Sequence, residues 1–123
     1  MTIEIMTKRV YEPADPEDGI RVLVDRLWPR GLTKDQVAAH LWLKSVAPST
    51  ELRKWFHQNM QQWAEFQHRY LAELAEQPDA VAKLIEMAKE NRLTLLFSSH
   101  EIEHNHALLL KEYLLFRLGT EAQ

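Results

Sequence analysis

Arg21-Val-Leu-Val-Asp25 and Leu93-Thr-Leu-Leu-Phe97 are two continuous apolar runs, and their reading decides the fold. A strand that is apolar at successive positions is buried on both faces, the pattern of an interior strand in a parallel sheet. Thr2 to Met6 alternates apolar and polar and predicts a third strand, whose β-prone stretch continues toward Tyr11. Glu12-Pro-Ala-Asp-Pro-Glu-Asp-Gly19, between the first two strands in chain order, is rich in turn formers and acids and reads as a loop.

The remainder is helical in pattern. Thr33-Lys-Asp-Gln36 has capping-box spacing, so a short helix is expected from there toward His40. Ser49 after Pro48 predicts a helix through about His57, and Asn59 the start of the next, which carries Trp63, Phe66, Tyr70 and Leu74 at spacings of three and four. Pro78 suits the first turn of another helix, with Val81, Leu84, Ile85 and Ala88 as its apolar stripe. Leu109, Leu110, Tyr113, Leu114 and Arg117 mark one face of the last. Interior strands separated by helices imply an α/β fold: a small single-domain three-layer sandwich over residues 1–123, with a short, mostly parallel sheet flanked by helices.

Composition agrees with one folded unit. The chain has 123 residues, 46% of them hydrophobic, with three Gly and five Pro. A domain of this size buries about two-thirds of the surface its unfolded chain exposes. There is no apolar run of the ~18 residues a membrane span needs and no signal-peptide core, so no membrane partner is expected. The absence of cysteine removes disulfides, thiolate metal sites and thiol nucleophiles, and fits a reducing cytoplasmic setting. Net charge is −3 overall, +1 over residues 1–60 and −4 over residues 61–123. Neither half is basic enough for a duplex-DNA binder, although local arginine clusters can hold a small anion.

Ligands of parallel sheets bind beyond the carboxyl ends of the strands. Two segments occupy such positions: Asp25 to Lys34, and Ser98 to His106. A sheet that sets their strands side by side makes the two loops neighbours. In the first, Asp25-Arg-Leu-Trp-Pro-Arg-Gly31, Arg26 and Arg30 can clamp a carboxylate or phosphate through their planar forks. Trp28 can wall or stack on a ligand, and Asp25 can act as a base or orient an arginine. The plainer alternative is an ion pair of Asp25 with one arginine while Trp28 fills the core.

In the second, Ser98-Ser-His-Glu-Ile-Glu-His-Asn-His106, Ser98 and Glu101 have capping-box spacing and predict the start of the last helix there, an end receptive to an anion. His106 is in line with Leu110, Tyr113 and Arg117, so it turns inward, either as a hydrogen-bonded structural histidine or as an acid/base group. Asn105 is a helix-start residue or a donor to ligand. His100-Glu101-Ile-Glu-His104 matches the zincin pattern, but it follows a strand directly and has no well-spaced third ligand downstream; a zinc hydrolase on His100, Glu101 and His104 is the remote alternative. Of the central residues, Ser49 is simplest as a helix cap and Trp42 and Trp55 as core, while Lys44 and Arg53 can reach an anion between the loops. Phosphate-loop, nucleophile-elbow and redox signatures are absent, and no cofactor is implied.

Lys8-Arg-Val-Tyr-Glu-Pro13, Arg21 to Gly31, Ala47-Pro-Ser-Thr-Glu-Leu-Arg-Lys-Trp-Phe56 and His104-Asn-His-Ala107 together resemble the bacterial family of domains of unknown function 488 (DUF488), YeaO-like branch, from about residue 3 to 117. The resemblance implies a small α/β domain and brings no settled substrate, cofactor or catalytic role. Its signature positions carried onto this chain are Asp25, Arg26, Trp28, Pro29, Arg30, Gly31, Trp42, Lys44, Pro48, Ser49, Arg53, Asn105 and His106. Other branches carry a Cys-His-Arg string near the last helix; no thiol mechanism transfers to a chain without cysteine. Where the family pattern places an Asp after small residues, this chain has Ser98-Ser-His-Glu101.

The expectation is therefore a binding protein or enzyme with an anion or phosphate pocket between residues 25–34 and 98–106, an unknown small anion as partner, and Asp25 and His106 as acid/base candidates. Arg26, Trp28, Arg30, Lys44, Ser49, Arg53 and Asn105 are the candidate ligand contacts. A non-enzymatic module that holds single-stranded nucleic acid or protein is the alternative.

Overall fold

The computed structural model describes residues 3–101 and 103–121; Thr2 of the first expected strand and Ile102 of the His100–His104 pattern lie outside them. Four strands, β1 (Ile5–Arg9), β2 (Ile20–Leu23), β3 (Leu41–Trp42) and β4 (Leu93–Phe97), form one sheet in the order β1-β4-β2-β3. Every pairing is parallel, with Leu95 of β4 opposite Thr7 on one side and Val22 on the other. The two apolar runs are thus the two interior strands, and all five residues of β4 are buried. β3 was not foreseen: it is two residues long, too short for a periodicity to register.

Helices cover the two faces unequally. Leu93, Leu95 and Phe97 join Ile5, Val22 and Val24 in the main core, under α2 (Thr50–Gln58), α3 (Trp63–Ala75), α4 (Pro78–Glu90) and α5 (His106–Glu121). Alternate residues Leu23 and Leu96 face the other way, with Val10 and Val37, and are covered only by α1 (Lys34–Val37) and by Trp28, Leu32, Ala39 and Trp42. The third layer is therefore mostly loop. No helix among the described residues is long and apolar enough to cross a membrane.

Local sequence explains the boundaries. Thr33 Oγ1 accepts from the Gln36 N–H at 3.2 Å while Gln36 Oε1 accepts from the Thr33 N–H at 2.8 Å, the capping box its spacing predicts. This helix stops before His40, because Ala38 turns left-handed at φ 50°. Ser49 Oγ caps α2 by accepting from the Leu52 N–H at 3.1 Å. Asn59 closes α2 rather than opening α3: its N–H donates to Phe56 O and its side-chain amide to Trp55 O. The expected stripe of α4 is buried as predicted.

At the amino end of the sheet, Arg21 is 3% exposed and fully used. It pairs with Asp18 and donates to Val37 O at 2.7 Å and Ala38 O at 3.0 Å, which ties α1 to β2. Lys8 Nζ also reaches Asp18, at 3.1 Å. Burial pushes the Asp18 carboxyl up, but the Asp15 N–H, Lys8 and Arg21 outweigh it and hold it below its ordinary value. Gly19 beside it has φ +68°, and a Cβ there would lie 2.2 Å from Arg92 O, the oxygen that accepts from the Ile20 N–H. Gly19→Ala is therefore expected to destabilise the fold by ~1–3 kcal/mol or more, read as a lowered urea midpoint. An unchanged midpoint would show that this edge of β2 can shift.

Candidate functional site

Parallel pairing of β2 with β4 places the segments that follow them side by side. They line a cleft of about 610 Å³ that also takes in the end of β1, one stripe of α2 and the start of α3. Its floor is Asp25, which is 8% exposed. One carboxylate oxygen accepts from the Ser98 N–H at 2.9 Å and from Ser98 Oγ at 2.6 Å. The other lies 3.1 Å from His106 Nε2, which is also 2.9 Å from Val24 O. Both neighbours of Nε2 are acceptors, so this nitrogen carries the proton. Burial pushes the Asp25 carboxyl up, yet the hydrogen bond and charge of His106 and the two Ser98 donors overcome it and leave the carboxyl below the ordinary range.

Behind His106 stands Tyr70, fully buried, its hydroxyl donating to Val46 O at 2.6 Å and its ring edge-on to the imidazole at 6.0 Å. Burial, with the Glu73 and Asp25 carboxylates adding, pushes this phenol well above its usual value. The last helix begins at His106 and not at Ser98. Asn105 Oδ1 caps it by accepting from the Leu108 N–H at 3.0 Å, and Asn105 Nδ2 donates to Glu101 O at 2.8 Å. Ser98 does not cap this helix, which starts eight residues further on; both Ser98 donors are turned to Asp25.

Of the residues singled out from sequence, the cleft gathers Asp25, Arg26, Trp28, Arg30, Arg53, His100, His104, Asn105 and His106. Their occupations differ. Arg26 donates to Pro48 O at 3.1 Å and Ala47 O at 3.2 Å, pinning the turn ahead of α2. Trp28 donates to Leu32 O at 2.7 Å and meets the Trp42 ring edge-on at 5.3 Å, while Trp42 donates to Asp25 O at 2.7 Å. The guanidinium groups of Arg30 and Arg53 have no hydrogen-bond or ion-pair partner among the described residues. Lys44 and Ser49 are not among the lining residues: the Lys44 ammonium sits over the Trp42 ring at 4.1 Å. Ser49 is held by Glu73, whose carboxylate accepts from its N–H and its hydroxyl, beside a second, shallower depression between α2 and α3.

The described residues of the His100–His104 stretch are not helical, so the two imidazoles are not set one helical turn apart on one face. His100 Nδ1 is 3.4 Å from Arg9, and His104 stacks on Trp63 with centroids 4.8 Å apart at 18°. No group of three or more His, Asp or Glu suited to a metal ion occurs among the described residues.

Sequence reasoning missed two parts of the cleft. Arg9, at the end of β1, donates to Ser99 O at 3.0 Å and Ser98 O at 3.4 Å, and the Tyr11 hydroxyl donates to Arg30 O at 3.1 Å. One strand end thereby steadies both loops. The Lys8–Pro13 string carried that signal only as part of the family resemblance. The other part is an apolar wall of Phe56, Met60, Trp63 and Phe66, with ring centroids 4.5–5.7 Å apart among its three aromatics. Arg53, Phe56 and His57 recur at helical spacing on α2, which would have revealed a mixed cationic and aromatic stripe.

The carboxylate network has a pH signature. Asp25 is held below its unfolded value, so its contribution to stability is present above that value and lost as pH falls through the folded one. Ser98→Ala removes one donor, raises the folded value toward the unfolded one, and should make the acid-induced loss of stability from this group smaller and complete at a higher pH than in the parent. Urea midpoints followed from neutral to acidic pH read this directly; curves of identical shape would remove Ser98 from the network.

A family model described as "Inactive DUF488-N3 subclade" matches residues 4–123. The chain is 48% identical over 112 residues to "Uncharacterized protein YeaO" of Escherichia coli (strain K12), covering 91% of this chain and 97% of that protein. It is 40% identical over 110 residues to "Uncharacterized protein Rv3073c" of Mycobacterium tuberculosis (strain ATCC 25618 / H37Rv), covering 89% and 92%. No solved structure matches. With a whole-length model and relatives at these identities agreeing, the chain belongs to the DUF488 family, in the subclade that model describes.

Proposed function

We propose that this protein binds a small anionic ligand, with phosphate as the simplest recognised group, in the cleft between residues 25–34 and 98–106. The carrying observation is a pair of guanidiniums on the lining of that cleft, Arg30 and Arg53, that have no partner among the described residues. Asp25, the buried acid of the cleft, is already matched by His106 and Ser98 and so does not neutralise them. Arginine forks with free donors suit the oxygens of a phosphate or carboxylate. Arg26, Trp28 and Asn105 serve the site by shaping it, since their polar atoms hold Pro48, Leu32 and the start of α5.

Binding without turnover is the favoured form. His106 Nε2–H is committed to Val24 O and Asp25, which takes that nitrogen out of use as a base, and the Ser98 hydroxyl directs its proton to Asp25. The word "Inactive" in the description of the matched family supports the same preference. An interaction module built on exposed tryptophan beside arginine has less support, because Trp28 and Trp42 use their indole N–H groups internally and pack on one another.

Titration with inorganic phosphate at low ionic strength, followed by shifts of backbone amide resonances, tests this reading. Saturable shifts confined to residues around Arg30, Arg53 and Ser98 are expected, weakening as salt rises. Arg30→Ala and Arg53→Ala should each cost roughly 1.5–3 kcal/mol of binding, about tenfold or more in affinity. Absence of saturable shifts, or equal binding by the double variant, would overturn the proposal.

A further inference from the structure

The cleft is far roomier than a bare oxyanion requires, and its second wall is aromatic. A volume of about 610 Å³ is in the range of organic-ligand pockets, roughly 300–1,000 Å³. Phe56 and Trp63 stand beside Met60, which is 57% exposed, so the apolar wall is open to solvent at that side. Arg53 precedes Phe56 by three residues on α2, which puts a free cation one helical turn from a ring. The outer face of Trp63 already carries a planar ring: the His104 imidazole lies nearly parallel to it, centroids 4.8 Å apart. His104 is exposed, and among the described residues this stack is its one recorded interaction.

We infer that the ligand of this cleft is a ring-bearing phosphomonoester, whose phosphate meets Arg30 and Arg53 and whose planar ring takes the place His104 now occupies on Trp63. The inference rests on the anion reading above and adds the chemical class. Stacking suits the site because it asks only for a flat π-face, and the indole supplies one while Phe66 backs it at 5.3 Å. His104 acts as a stand-in for the ligand ring. It swings aside at the loss of a single ring contact, whereas Trp63 is fixed between α2 and α3 by Phe56 and Phe66.

The test compares phenyl phosphate and adenosine 5′-monophosphate with methyl phosphate and inorganic phosphate on the full chain, by resonance shifts that include the Trp63 indole N–H. At least one ring-bearing ester should bind about tenfold more tightly than methyl phosphate and shift the Trp63 signal. His104→Ala should strengthen the ring-bearing ester about two- to tenfold while leaving methyl phosphate unchanged, because no ring need be displaced. Trp63→Leu should abolish the preference for rings yet keep phosphate binding. Equal affinity for all four phosphates, or a loss of ring-ester binding in His104→Ala, overturns this inference and leaves the anion reading standing. Failure of every phosphate to bind sinks both.

Discussion

The Asp25 carboxylate is the knot on which the cleft depends. It lies two residues past the end of β2, receives two donors from Ser98 just after β4, and faces His106 at the first turn of α5. Three chain segments, the latter two more than seventy residues distant from the first, are fixed to one another through two oxygens. A buried carboxylate is costly unless its charge is matched and its lone pairs are filled, and here both conditions are met by groups that themselves define the loop. The same contacts explain why the group stays ionised and why it is a floor for the cleft rather than an open base.

The interior of the sheet was legible because burial on two faces leaves a dense apolar signal. Val22, Val24, Leu93 and Leu95 had no other plausible home, and the strand-end rule then located both loops. What escaped was decided by single hydrogen bonds. Ser98-x-x-Glu101 has the letters of a capping box, but Ser98 donates to Asp25, the helix starts only at His106, and Asn105 caps it instead. Asn59 has equal letters for opening or closing a helix, and its amide found the Trp55 carbonyl. β3 is held by register against β2, with Leu41 opposite Val22, and has no pattern of its own. Trp63 and Phe66 registered only as part of a helical stripe; that they border open space together with Phe56 depends on how α2 and α3 pack, which no spacing reveals.

The opposite end of the sheet follows the same logic with the signs exchanged. There a buried cation, Arg21, meets a buried carboxylate, Asp18, and the carbonyls of Val37 and Ala38. One end uses a carboxylate to position a binding cleft; the other uses a guanidinium to close the sheet and seat its thin third layer. Neither group is available for chemistry at its surface. Of the cleft's arginines without a partner among the described residues, Arg30 is on the loop that starts at Asp25, and Arg53 is on α2, whose lead-in turn is held by Arg26.

The strand order carries a temporal consequence. β1 and β2 share no ladder; each is bonded to β4, which enters the sheet between them. During synthesis on a ribosome β1 and β2 thus emerge before the strand that joins them, and the main core under β4 has no centre until Leu93–Phe97 has left the exit tunnel. The ladders of β1 and β2 with β4 form only after that point, and the apolar faces of β1 and β2 must wait uncovered until then.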